Sequence, residues 1–283
     1  MSMSFPMGRN QDRPMANPMV GNPPTLDPAT VAFMAAAGIS SATIGNAVNN
    51  LVLTLKNAGV WRRCVAIYPM VGGSGAAHKF NLVNPADTDF AKRLSFAGSW
   101  THSATGALPD GSTAYADTFI NANEDVPQYS FCGSYYSGSN AAPVGDRDLF
   151  GLNGGGNSSI RLEFTSTSVI YASFDASKTV QLNSETVFKG FYVMSGYNFD
   201  KFNLYRDGAS IGSNTNVRYS YNPDAQVERR RTLYLAATNT GAAGQFCPYE
   251  CRFASFGFGL SSTQVAALSA AVASFQSALG RAA

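Results

Sequence analysis

A chain of 283 residues with a formal charge of +2 is long enough to bury a full core. Only 13% of its residues are charged, which excludes an electrostatic nucleic-acid binder, because that function needs a concentrated basic surface. No run of about 18 apolar residues is present, so no membrane-spanning helix is expected.

Residues 1–27 read as an extended anchoring arm. Five of the eight methionines fall here (Met1, Met3, Met7, Met15 and Met19), with Phe5. Pro6, Pro14, Pro18, Pro23 and Pro24 break any regular element. Such a segment is too short and too broken to form a core of its own. It gains order by burying apolar side chains elsewhere, so Phe5, Met7, Met15 and Met19 are the expected assembly contacts. No basic segment followed by an apolar run marks a secretion signal. Cys64, Cys132, Cys247 and Cys251 are therefore expected as free thiols, with a Cys247–Cys251 bridge as the alternative.

Residues 28–59 read as a two-helix connector. Asp27-Pro28 supplies the N-cap and first position of a helix over Ala29–Ala37, which Gly38 stops. Ser41 caps a second helix, in which Ile44, Val48, Leu51, Val52 and Leu55 line one face before Asn57-Ala58-Gly59 ends it. These helices could pack on the rest of the chain or on a neighbouring copy.

From Val60 the pattern changes to period two and short runs. Ile160, Leu162 and Phe164 alternate with Arg161 and Glu163, and Val187–Met194 reads as a buried strand. Phe202 and Leu204 lead into Asp207-Gly208, a hairpin signal, and Ile211 begins the return. Leu233-Tyr234-Leu235 and Arg252–Phe256 complete the series. Strands at this spacing, parted by Gly, Asn and Ser, predict an all-β dominated, antiparallel β-sandwich over residues 60–283. At its end, Ser261-Ser262-Thr263-Gln264 has capping-box spacing, and Val265, Leu268, Val272, Phe275 and Leu279 form one stripe on a C-terminal helix over 262–279.

This layout resembles the concanavalin A-like, or laminin-G-like, jelly-roll sandwich, in which the unit Leu204-Tyr205-Arg206-Asp207-Gly208-Ala209-Ser210-Ile211-Gly212 is similar to a common hairpin. Over roughly residues 44–283 several segments are similar to structural proteins of tailed bacteriophages and related prophages. They are Val60-Trp61 through Tyr68-Pro69-Met70-Val71-Gly72-Gly73, His78-Lys79-Phe80-Asn81-Leu82, Trp100-Thr101-His102-Ser103-Ala104-Thr105-Gly106, Asp110-Gly111, Tyr115-Ala116-Asp117-Thr118 and the ending Phe275-Gln276-x-x-Leu279-Gly280-Arg281. The resemblance implies a structural virion protein, a capsid decoration, head fibre or tail-associated component. It would meet other virion proteins through residues 1–27, form a homo-oligomer, and assemble in the host cytoplasm. It implies no catalytic residue and no cofactor, so the expectation is that the chain is not an enzyme. The alternative is a carbohydrate-binding, receptor-recognition module of a phage fibre. A polysaccharide lyase is more distant.

The residues that could carry chemistry are few. Glycoside hydrolysis needs two carboxylates flanking one bond, but Glu124-Asp125 point to opposite faces of a strand and Glu163 has no acidic partner two residues on. Arg161-Leu162-Glu163-Phe164 and Phe191–Asn198 are similar to lyase strands, yet Gln181-Leu182-Asn183 lacks the histidine expected of the intervening base. Asp146, Asp148, Asn153 and Asn157 are oxygen ligands in a glycine-rich stretch and stand as calcium candidates, without EF-hand spacing. His78 and His102 lie far apart in sequence. Glu228-Arg229-Arg230-Arg231 reads either as a solvated strand edge or as an inter-subunit ion-pair strip. Tyr135, Tyr136, Tyr219 and Tyr221 lie among Ser, Gly and Asn, where an aromatic ring can stack on a sugar or pack at an interface.

Overall fold

The computed structural model describes residues 26–121, 124–126, 130–153, 159–167, 169–174, 179–183, 185–196, 202–215 and 231–281. Most of the arm, with Phe5, Met7, Met15 and Met19, lies outside the described residues, as do Asn157, Tyr219, Tyr221 and residues 228–230. The helices are α1 (Pro28–Ala36), α2 (Ala42–Asn57), the short α3 (Gly75–His78) and α4 (Ser262–Ala278). The strands run β1 (Cys64–Tyr68), β2 (Ser95–Ala97), β3 (Trp100–His102), β4 (Ala107–Pro109), β5 (Tyr115–Asn121), β6 (Phe131–Ser137) and β7 (Arg147–Asn153). They continue with β8 (Ser159–Phe164), β9 (Ile170–Phe174), β10 (Thr179–Leu182), β11 (Gly190–Gly196), β12 (Phe202–Arg206) and β13 (Ala209–Asn214). Last come β14 (Thr232–Leu235), β15 (Thr238–Asn239), β16 (Ala243–Gly244) and β17 (Cys251–Gly257).

The helix starts are those the sequence marks. Asp27 accepts the Ala29 N–H at 2.9 Å with Pro28 following, and Ser41 accepts that of Ile44. At α4 the capping box is complete: Ser261 Oγ accepts the Gln264 N–H, and Gln264 Oε1 accepts the Ser261 N–H at 3.1 Å.

Two sheets form the sandwich. The first has the order β13-β12-β11-β6-β17-β4-β3, with β1 also on β17. The second has the order β10-β9-β8-β7-β14-β5-β2. All described pairings are antiparallel except a two-residue parallel contact of β15 with β7. Between the sheets lies one core, holding Tyr68, Tyr135, Phe150, Leu162, Phe164, Tyr192, Met194 and Phe256. A second apolar layer covers the far side of the first sheet, where Phe191, Val193 and Phe253 meet Val48, Leu51, Val52 and Leu55 of α2 and Val265, Leu268, Val272 and Phe275 of α4. The helices expected as a connector therefore lie on the sandwich itself.

Layering explains the strand patterns. The first sheet is covered on both faces, so all seven residues of β11 are buried, and adjacent apolar residues there serve different cores. In β8 only Ile160, Leu162 and Phe164 enter the core, as their alternation predicts. The strand expected from Val187 begins only at Gly190, because the N–H groups of Phe188 and Lys189 donate to Asn140 Oδ1 at 2.7 and 3.1 Å rather than to a neighbouring strand. The β12–β13 hairpin turns on Asp207 and Gly208, both at positive φ, as its twist requires. Beyond α4, the buried Arg281 guanidinium donates to the carbonyls of Pro69, Met70 and Thr105 at 2.8–3.3 Å, tying the helix end to two loops. Among the described residues no helix is long and apolar enough to cross a membrane.

Candidate functional site

The outer face of the second sheet carries a polar cluster that no linear motif announces. Register pairs Asp148 on β7 with Glu163 on β8, so the two carboxylates share one face although they are 15 residues apart in sequence. Arg161 lies between them. Its Nε is 3.3 Å from Asp148 Oδ1, and its Nη2 is 2.6 Å from Glu163 Oε2 and 2.8 Å from Gln245 Oε1. Gln245 in turn donates to Glu163 Oε1 at 3.0 Å, and its carbonyl accepts the Asp148 N–H. Gly151 lets the β15–β16 hairpin approach: a Cβ there would stand 2.8 Å from Thr238 Oγ1. That cover leaves Asp148 fully buried. Burial pushes its carboxyl well above the usual range, against Arg161 and reinforced by Glu163. Burial likewise raises Glu163, with Arg161 opposing and Asp146 adding to the rise. The cluster floors an open cleft of about 360 Å³ lined also by Asp146, Thr165, Thr167 and Gln181.

Two groups of sequence candidates thus meet here, and neither assembles as expected. Of the calcium candidates, Asp146 is exposed, Asp148 is committed to Arg161, and Asn153 lies at the far end of β7, where its carbonyl accepts from Arg231. Among the described residues no three His, Cys, Asp or Glu are placed to hold a metal ion. The lyase set divides between layers. Arg161, Glu163 and Gln181 line the second sheet, whereas β11 belongs to the first and its Tyr192 is buried between the two.

Histidines distant in sequence are neighbours in space. His78 Nδ1 and His102 Nδ1 are 2.9 Å apart, and His102 stacks on Trp100 with Phe96 against its edge. All four cysteines are free thiols, and Cys247 and Cys251 are buried.

The tyrosines expected at a surface part company. Tyr135 points into the core, where its hydroxyl donates to the Tyr249 carbonyl at 2.7 Å, so it is not a surface aromatic. Tyr136, one residue on, faces the opposite way and stacks on Phe191 with ring centroids 6.1 Å apart. Burial raises its phenol, with Asp207 adding and Arg252 and Arg281 opposing.

Tyr136 borders a pocket of about 530 Å³ that is also lined by Asn140, Val187, Lys189, Gly190 and Asp207. Several polar atoms here have no protein hydrogen bond among the described residues. Asn140 uses Oδ1 for two backbone N–H groups and leaves Nδ2 unused. Asp207 uses Oδ1 for the Phe191 N–H at 2.8 Å and leaves Oδ2 unused. That second oxygen overhangs Gly190, whose φ of 140° and lack of a Cβ keep the floor open. An aromatic face, an amide donor, a carboxylate acceptor and an ammonium therefore converge on one concavity.

No family model matches the chain, and no curated protein matches it in sequence. Solved structures do share the fold. A chain of Trypanosoma rangeli sialidase, a mutant displaying trans-sialidase activity, superimposes with a TM-score of 0.51 at 14% identity over 77% of this chain and 37% of the sialidase. A botulinum neurotoxin type C chain, described as depending on two ganglioside molecules to enter cells, gives 0.50 at 9% identity over 76% of this chain and 53% of the toxin chain. Domain 4 of an extracellular arabinanase of Geobacillus stearothermophilus, in complex with arabinotriose, is covered to 98% at 12% identity, but its TM-score of 0.46 is too loose to carry an argument. The chain spans under two fifths of the sialidase length. The sialidase and toxin likenesses agree with the fold the strands form, an antiparallel β-sandwich of the jelly-roll, concanavalin A-like kind. The sialidase likeness also corrects the expectation that the chain is not an enzyme, because the fold is shared with part of an enzyme chain.

Proposed function

We propose that this chain is a carbohydrate-binding β-sandwich module whose binding site is the pocket around Tyr136. The observation that carries the reading is the pocket's chemistry. Sugar recognition calls for an apolar ring face against the C–H surface of the sugar and for polar groups with bonding capacity left over to meet its hydroxyls. Tyr136 supplies the ring, and Asn140 Nδ2, Asp207 Oδ2 and Lys189 Nζ supply the polar atoms. The Arg161 cleft differs, since its groups are largely committed to one another. The toxin chain that shares the fold is described as depending on interaction with two ganglioside molecules, which is in keeping with this role.

The test is binding to a panel of immobilised polysaccharides by the intact protein and by Tyr136→Ala. Binding by the first that is lost in the second, with the fold retained by circular dichroism, is the expected result. Equal binding by both removes the pocket from the proposal.

The setting we propose is a bacteriophage particle, with residues 1–27 attaching the module to other virion proteins and several copies acting together. Its support is the sequence resemblance over roughly residues 44–283 and, for the arm, the methionine- and proline-rich composition of residues 1–27. Deleting residues 2–27 should leave a folded sandwich that no longer joins particles, and normal incorporation would refute the anchor.

A second reading, glycoside hydrolysis in the Arg161 cleft, is favoured by Glu163, a carboxyl raised by burial beside Asp146 in an open groove. Turnover of aryl glycosides that disappears in Glu163→Gln would support it, and absence of turnover across a broad panel would remove it.

A further inference from the structure

We propose that the sugar held in the Tyr136 pocket carries a carboxylate, and that Lys189 is the residue that selects it. This rests on the pocket being a glycan site.

The argument begins with where Lys189 is fixed. Its backbone N–H donates to Asn140 Oδ1 at 3.1 Å, next to the matching bond from Phe188, so the root of the side chain is pinned at the pocket wall. The side chain is half-buried, and among the described residues it makes no ion pair and no hydrogen bond. Other cations nearby are committed. Arg206 is 3.0 Å from Glu185, and Arg252 is 2.8 Å from Glu250. The acid that shares the pocket with Lys189 is Asp207, yet the two do not pair. Asp207 spends one oxygen on the Phe191 N–H, and among the described residues its other oxygen accepts no hydrogen bond.

Cation and anion thus stand in one concavity, apart and separately unsatisfied. A ligand between them meets both if it brings an acidic group for Lys189 and a hydroxyl donor for Asp207. A sugar acid has both on one ring. The surroundings lean the same way. Among the described residues the buried Arg281 guanidinium hydrogen-bonds only to backbone carbonyls, and its positive field, with that of Arg252, reaches Tyr136. A neutral sugar would strip water from Lys189 without replacing its partner, at a cost that an acidic sugar avoids.

The experiment is titration calorimetry with matched pairs: galacturonan oligosaccharide against its carboxyl-reduced form, and sialyllactose against lactose. At low salt the acidic member of at least one pair should bind about tenfold more tightly, the size of one charge-assisted hydrogen bond. That advantage should shrink as salt rises and should vanish in Lys189→Met. The variant should melt close to the parent, because among the described residues the side chain makes no hydrogen bond or ion pair for the fold to lose, and methionine keeps its apolar stem. Equal affinity for acidic and neutral members overturns the role of Lys189 while leaving a glycan site. An acidic preference that survives Lys189→Met overturns it as well. Failure of every saccharide to bind overturns the site itself.

Discussion

Acid should weaken this fold through His78. The imidazole is 1% exposed, and burial, then His102 and Arg281, lower its pKa from 6.5 to about 3. One hydrogen bond joins the two Nδ1 atoms at 2.9 Å, so one ring must present a lone pair there. Protonating both rings would set two N–H groups and two charges face to face. In the unfolded chain His78 takes up a proton near its ordinary pKa, whereas the folded chain refuses it down to the lowered value. The unfolded state therefore binds more protons throughout that interval, and stability falls as pH drops below about 6.5 until it levels near the folded pKa. At 1.36 kcal/mol for each unit, the loss from pH 7 to pH 5 is about 2 kcal/mol. Asp148 and Glu163, whose carboxyls are raised by burial, act in the opposite sense, so a variant must isolate the histidine. Urea denaturation of the parent and of His78→Gln at pH 7, 6 and 5 does this. The parent's advantage at pH 7 should decline by about 2 kcal/mol at pH 5. A difference that stays constant with pH, or a His78 ring that titrates near 6.5 by NMR, would refute the reasoning.

Three further outcomes follow from the same contacts. Arg161→Met should cost about 3–5 kcal/mol at pH 8, because it strands two buried carboxylates, and less at pH 5, where they are more easily protonated; chemical denaturation at both values checks this, and an equal loss would show that their charge is not the cause. Ser261→Ala removes half of the α4 capping box and should cost about 1 kcal/mol, seen as a fall of about 2–4 °C in melting temperature. Burial raises both Cys247 and Cys64 to about 12, so neither should react readily with a thiol reagent at pH 8, and Cys64, whose residue is partly exposed, should react first; rapid modification of all four in the native protein would contradict their burial.

What could be read from the sequence was what neighbouring residues decide together. The α4 start lies in Ser261 and Gln264, and the period-two alternation of β8 already assigns Leu162 inward and Arg161 outward. What could not be read depends on pairing. Asp148 and Glu163 become a carboxylate pair only once β7 lies against β8 in register, and a search for acids two residues apart misses them. His78 and His102 meet because α3 is carried past β3, a contact without any linear signature. The tyrosines show the limit most plainly. Tyr135 and Tyr136 sit in the same Ser- and Gly-rich stretch, and only knowing which side of β6 faces the second sheet tells the buried ring from the half-buried one.

The helix layer also decides how a pull on this molecule would travel. Tyr136 lies within β6, a strand held on one edge by β11 and on the other by β17. Tension on a sugar stacked there enters the interior of a sheet instead of a loop tip. If the chain is tethered through its N-terminal segment, the opposing force arrives at Asp27, which is tied to α2 through Asn49 and Lys56. The line between the two points crosses the interface of the first sheet with the helices, where Phe191, Phe253 and Phe275 stand in sequence at 5.8 and 6.4 Å. The second sheet lies off that line. Its outer strands could be worn or varied without slackening the connection between tether and ligand.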